Sequence, residues 1–300
     1  MHFGLAVPHF RQVASVEAIR RVAHEAEAMG YDSVWVTDHI LLPRQYHERF
    51  GVDMLEMVPV LGYLCAITRR IRIGTSVIIL AHRNPIFMAR ALATVDVLSG
   101  GRLIVGAAAG WCKEEFEFLG VPFEQRGEIS DEALRIYKVL WTEDDPHFEG
   151  KFWRFNNTRL EPKPIQKPHP PIWVGGNSRR ALRRAVELGD GWHPTRPTPQ
   201  DIQNARPLLQ RLAEQRGRRL DTFPIFVRQA LRFTDAPSER HPLIGTVDSI
   251  RKGIDAFQQA GATGFMLDTF YGVPELADQT LDGVLKTMER FAREVMPYYR

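Results

Sequence analysis

Ile172-Trp173-Val174-Gly175-Gly176-Asn177-Ser178 is the stretch on which the fold turns. Its three apolar residues read as a very short buried strand. A glycine pair and an asparagine follow, and a helical period then runs from Ser178 to Leu188 and stops at Gly189. The same order of apolar run, small or polar turn and helical period recurs on both sides. Upstream, strands are expected at Phe3 to Val7, Ser33 to Val36, Ile71 to Leu80 and Leu103 to Ala107. Helices are expected at Val16 to Met29, Met54 to Ile67, Ile86 to Leu98 and Ile129 to Trp141. In the first helix Val16, Ile19, Ala23, Ala26 and Met29 mark one buried face, with Ser15 as N-cap and Gly30 as C-cap. Downstream, strands are expected at Gly191 to His193, Phe223 to Phe233 and Gly264 to Asp268. The matching helices are Gln203 to Gln215, Val247 to Ala260 and Leu276 to Val295.

Eight strands, each followed by a helix, predict a (β/α)8 TIM barrel, with one domain over residues 1–300. An open doubly wound sheet is the rival. The strand count and the lack of GxGxxG after the first strand favour the barrel. Two insertions are expected at its edges. Residues 41 to 53 form a long loop after the second strand; residues 142 to 170 hold a small hairpin at Phe148 to Phe155 and then a proline-rich run.

Composition narrows the function. Hydrophobic residues make up 44% of the 300 and charged residues 25%, as in an ordinary globular enzyme. The 39 basic and 36 acidic residues leave a net charge of +3 without a basic stripe, which argues against a nucleic-acid or membrane-surface partner. Cys65 and Cys112 lack CxxC spacing and read as free thiols. No export signal is read at the N-terminus and no apolar run approaches the roughly 20 residues that span a bilayer, so a cytoplasmic protein is expected. HExxH, GxxxxGKS/T, GxSxG and HxH are all absent, and no metal site is expected.

In a barrel, the residues just beyond the C-terminal strand ends face the active site. Gly175, Gly176 and Asn177 lie at that face. A tight βα turn and an anion cradle both fit them. Arg179 and Arg180 favour the cradle, because cations in a first helical turn oppose the macrodipole unless an anion sits there. Gly100-Gly101, at the opposite face, reads as a helix C-cap. Asp38 and His39 follow the second strand, where a carboxylate beside an imidazole suits proton transfer near neutrality; a structural histidine is the alternative. His9 is a weaker candidate of the same kind. At the third strand, Thr75, Ser76 and Val77 enter the same face. Ala109, Gly110 and Trp111 follow the fourth strand, with Trp111 either stacking on a ring or plugging the barrel.

These residues also carry a resemblance. Gly30 to His39, Gly74 to Val77, Ser99 to Leu103, Gly106 to Trp111, Lys163-Pro164 onward to Gly176, and Gly189 to Trp192 resemble, in order and spacing, the bacterial luciferase-like superfamily. Within it they look like the coenzyme F420-dependent oxidoreductases. The resemblance implies a deazaflavin, or alternatively FMN, lying across the strand ends. Asp38 and His39 would sit beside its ring, and Ser76-Val77 would back it as a bulge that in similar proteins contains a non-proline cis peptide. Gly175, Gly176 and Asn177 would hold its phosphate, and His39 would act as the base or orient the ring. A small-molecule substrate and a homodimer are implied as well. One departure stands out: related sugar-phosphate dehydrogenases carry a glutamate where this chain has Trp111. Glu114 and Glu115 are expected only to begin the next helix. Three functions follow as hypotheses: an F420-dependent oxidoreductase, an FMN-dependent monooxygenase, and a non-catalytic cofactor-binding barrel.

Overall fold

A computed structural model describes residues 1–300 and shows a parallel barrel. Its strands are β1 (His2–Ala6), β2 (Ser33–Val36), β3 (Arg72–Thr75), β4 (Leu103–Ala108), β5 (Ile172–Gly175), β6 (Gly191–His193), β7 (Phe226–Ala230) and β8 (Gly264–Asp268). Each pairs in parallel with the next through β6, and β8 lies between β7 and β1. Between β6 and β7 the ring is completed by the bridges Trp192 to Ile225 and Thr195 to Arg228. The outer layer is α1 (Val16–Ala28), α2 (Met57–Ile67), α3 (Pro85–Ser99), α4 (Arg126–Thr142), α5 (Arg179–Leu188), α6 (Pro199–Gln215), α7 (Val247–Ala260) and α8 (Leu281–Glu294).

Local chemistry explains where these helices start. Ser15, Asn84, Ser178, Thr246 and Thr280 each accept an amide of the first turn, and Thr198 forms a reciprocal capping box with Asp201. Gly100, in the left-handed region at φ 71°, ends α3. The strands are buried almost throughout because helices cover the barrel outside and side chains fill it inside. Trp35 of β2 shows how the interior is filled. It stacks on Trp173, His193 and Phe226 at 5.6, 5.4 and 5.2 Å, and any Cβ on Gly4 or Gly74 would meet it at 2.3 Å. A large side chain on one strand therefore requires none on either neighbour.

Some boundaries differ from the sequence reading. The expected strand Ile71 to Leu80 is broken: β3 stops at Thr75, the Ser76–Val77 peptide is cis, and Ile78–Ile79 pair separately with β4. The expected strand Phe223 to Phe233 shortens to β7, since Arg232–Phe233 leave the barrel to pair with Ile244–Gly245. α2 starts at Met57 behind the Glu56 cap instead of at Met54, and α8 at Leu281 behind Thr280 instead of at Leu276. The hairpin forms between Phe148–Glu149 and Arg154–Phe155. The loop after β2 contains the short helical turns Arg44–Tyr46 and His47–Phe50. No helix is long and apolar enough to cross a membrane.

Candidate active site

A cavity of about 700 Å³ opens at the C-terminal ends of the strands, a size ordinary for small-molecule sites. Asp38, His39, Ser76, Val77, Ala109, Gly110, Trp111, Gly175 and Gly176 all line it; Asn177 does not. Asn177 instead uses its side chain on the neighbouring strand end: Nδ2 donates to the Thr195 carbonyl at 2.8 Å and Oδ1 accepts the Thr195 amide at 3.1 Å. Of the two arginines singled out in the first turn of α5, Arg180 lines the cavity and Arg179 does not. Arg183 and Arg184, one turn further along, also reach it.

His39 is buried, and its Nδ1 donates to Glu115 Oε2 at 2.8 Å. Glu115 stands in the first turn of the short helix Lys113–Phe118, as the sequence suggested, but its side chain turns fully inward. There it also accepts the Ile40 and Leu41 amides at 2.5 and 3.1 Å. Burial alone would push this carboxyl up. The hydrogen bond and charge of His39, the Ile40 amide and the charge of His82 outweigh burial and hold it below the usual carboxylate range. The carboxylate thus fixes the hydrogen on Nδ1, and His39 Nε2 makes no hydrogen bond within the chain. The ring is held edge-on by Phe50 at 4.8 Å and Trp111 at 5.8 Å.

Asp38 is committed elsewhere. Its carboxylate takes a bidentate pair from Arg83 at 2.6 and 2.9 Å and the Ile79 amide at 3.0 Å, which ties β2 to the chain just past the cis peptide. Burial disfavours the Arg83 charge, but Asp38 and then Glu56 more than offset it, and the guanidinium lies above its ordinary value. His9 is wholly buried, its ring nitrogens 3.0 Å from the Val7 carbonyl and 2.9 Å from that of Thr37, and it does not reach the cavity.

The cavity floor is a buried polar network. His193 Nδ1 donates to the Phe226 carbonyl at 2.5 Å, so its Nε2 accepts the Ser76 hydroxyl at 2.8 Å. Burial, joined by the charge of Arg228, pulls His193 down to about 4, and the ring is neutral. Arg228 is fully buried. It pairs bidentately with Asp268 at 2.8 and 2.9 Å and donates to the Ser76 carbonyl at 2.8 Å. Glu115, Arg83, Arg196, Arg228 and Tyr271 were not singled out in the sequence. Arg196 and Tyr271 lie three residues past β6 and β8, a signal the sequence offered; Arg228 lies within β7, Glu115 in the helix after β4 and Arg83 just before α3, without such a signal.

At β5 the geometry suits an anionic tail. A Cβ on Gly175 would lie 2.9 Å from Val77 Cγ1, and Gly176 has φ 106°, so both positions need glycine. The amides of Gly176, Asn177 and Ser178 find no acceptor within the chain, and α5 begins directly behind them. Beyond them Arg180 has no ion pair, and Arg126 only donates to the Phe123 carbonyl while lying over the Phe123 ring.

The chain is similar to known proteins along most of its length. The family described as luciferase-like monooxygenase matches residues 1–240. The FMNH2-dependent dimethylsulfone monooxygenase of Pseudomonas putida is 34% identical over 198 residues, which are 64% of this chain and only 52% of that relative's length. An uncharacterized protein of Mycobacterium tuberculosis is 31% identical over 231 residues, covering 73% of this chain and 80% of the relative. Among solved structures, a monooxygenase from Streptomyces bottropensis superposes with TM-score 0.86 at 22% identity over the whole of both chains. An F420-dependent secondary alcohol dehydrogenase does so with TM-score 0.84 at 18% identity over 100% of this chain and 99% of that one. These two likenesses establish a shared fold. With four-fifths of its length matched by the family profile, the chain belongs to the luciferase-like monooxygenase family.

Proposed function

We propose that this chain is an oxidoreductase that uses coenzyme F420 to exchange two electrons with a small organic substrate. One observation carries the choice of cofactor. The cavity continues past the free amides of Gly176 to Ser178 into a groove between α4 and α5; there Asp131 is paired with Arg183 and Arg184 and Glu128 with Lys151, Glu124 is unpaired, and Arg126 and Arg180 have no carboxylate partner. An extended polyanionic tail such as that of F420 offsets these charges better than a single terminal phosphate. When bound, a deazaflavin supplies hydride transfer at its C5 but no oxygen activation. The chain's own residues do the rest. Val77, in the cis peptide, would form a wall for the ring with Ala109 and Gly110; Gly175 would leave space for the tail, and the α5 N-terminus would receive the phosphate. His39 Nε2 takes the substrate proton while Glu115 fixes the opposite nitrogen and stabilises the positive charge that the ring acquires.

A second reading, an FMN-dependent monooxygenase, is supported by the 34% identity to the dimethylsulfone enzyme. Parallel fluorescence titrations with F420 and FMN separate the two. Tight binding of F420 and weak binding of FMN is the expected result; the reverse order overturns the F420 assignment, and binding of neither removes the cofactor reading altogether.

A further inference from the structure

The cavity holds a second group of cations, around β6, β7 and the loop after β2, which the cofactor reading does not use. Arg49, Arg196 and Arg228 all line the mouth near Tyr271, whereas the ion pairs of this corner involve a single carboxylate, Asp268. Asp268 is committed to Arg228 by two short bonds, and Arg196 reaches it only through one bond of 3.3 Å. Arg49 forms no ion pair and leans on the Phe50 ring at 5.2 Å. The Arg196 Nε–H is buried with no acceptor. The Arg196 side chain is 18% exposed, so part of the guanidinium is open to a ligand in the cavity although its Nε–H is enclosed. Burial, together with the like charges of Arg228 and Arg49, holds the Arg196 guanidinium below its ordinary value despite Asp268.

The backbone also places Arg196 deliberately. Its φ of 48° lies in the left-handed region, uncommon for a residue with a side chain. The conformation is held by its amide on the Arg228 carbonyl at 2.9 Å and by the Asn177–Thr195 clamp just before it. The result is an Arg196 guanidinium over the Tyr271 ring at 5.5 Å, with Arg228 at 5.3 Å from the same ring. The Tyr271 hydroxyl makes no hydrogen bond within the chain and is not among the buried atoms without a partner. Next to this corner, Phe50 packs on Tyr271 at 5.2 Å and stacks on Trp111 at 6.0 Å, and Trp111 is 45% exposed.

We infer that the substrate is an organic acid with an apolar, aromatic-sized body: its carboxylate seats between Arg49 and Arg196 with the Tyr271 hydroxyl, and its body lies against Phe50 and Trp111. The inference rests on the oxidoreductase reading for the word substrate, but the binding site itself does not depend on a cofactor. Guanidinium pairs suit planar oxyanions, and the aromatic wall makes the recognition amphipathic.

The test uses the unaltered protein and phenylacetate, with the isosteric but neutral phenylacetamide as control, followed calorimetrically with and without F420. Phenylacetate is expected to bind at least roughly tenfold more tightly than phenylacetamide, by a charge-assisted contact that the amide lacks. The preference should fall away in R196Q and in R49Q, and weaken with added salt in the unaltered protein. Since Arg196 touches Asp268 and its variant could misfold, R49Q on the exposed short helix keeps the test decisive. Equal affinity for acid and amide, binding of neither, or an acid preference untouched in R49Q would overturn the proposal. F420 titration of the same sample reports separately on the cofactor.

Discussion

Glu115 accepts the Nδ1 hydrogen of His39 at 2.8 Å across 76 positions of sequence, and so joins the end of β2 to the helix after β4. With one ring nitrogen fixed, the other is the group available for proton transfer. His39→Ala should therefore lower turnover by on the order of 10²–10⁴ while leaving F420 affinity nearly unchanged. Glu115→Gln leaves a single oxygen to serve either the His39 Nδ1 hydrogen or the Ile40 and Leu41 amides and removes the negative charge, so a loss in kcat is expected together with a lower melting temperature. Steady-state kinetics beside equilibrium titration measure both; equal loss of affinity and turnover in the His39 variant would make it a binding residue only.

Asp38 holds Arg83 and the Ile79 amide, and its removal strands a largely buried guanidinium. Asp38→Ala is expected to cost about 3 kcal/mol of stability, at the lower end for a broken buried pair because Glu56 still contacts Arg83. Urea denaturation gives the figure. A change within experimental error would mean that water replaces the pair at no cost.

His193 is held neutral by burial, at about 4, against 6.5 for an unperturbed histidine. His82, also buried, lies at about 4 as well. Between these values the unfolded chain binds more protons than the folded one, so stability must rise with pH across that window and level off above it. The Glu115 carboxyl, held low, adds a further loss as pH falls below the usual carboxylate range. Melting temperatures from pH 4 to pH 7 should show the rise, and His193→Gln should flatten part of it. An unchanged slope in that variant would assign the pH dependence to other groups.

A Cβ at position 175 would sit 2.9 Å from Val77 Cγ1, at the join between the proposed ring wall and the proposed tail cradle. Gly175→Val is expected to weaken F420 binding by at least roughly tenfold, as a steric block of a preformed site, and also to lower the melting temperature, since the clash with Val77 exists in the cofactor-free protein. Wild-type affinity in a folded Gly175→Val protein would remove this turn from the binding site.

Much of the barrel was legible because buried parallel strands read as short apolar runs, so that even three-residue β6 was found. The breaks were not. Ile71 to Leu80 is apolar enough to hide the turn at Ser76–Val77, and nothing local to Phe233 shows that its partner is Gly245 and not a barrel strand. The strand-end rule gathered Asp38, His39, Ser76, Trp111 and Gly175 at one mouth. It could not show that Asp38 spends its carboxylate on Arg83, that Asn177 turns to Thr195, or that Glu115 rather than Asp38 orients His39. Such pairings depend on which loops fold back over the mouth, and that information lies in tertiary contacts and not in spacing.

In the proposed complex the cofactor tail lies on the α5 turn, and the Arg49–Arg196 corner is left for another molecule. A crystal structure with F420 soaked into the protein tests this most directly. The expected density has the phosphate within hydrogen-bonding distance of the Gly176, Asn177 and Ser178 amides, with the ring against Val77. A phosphate lodged instead on Arg49 and Arg196, or a ring bound outside the strand ends, would contradict it.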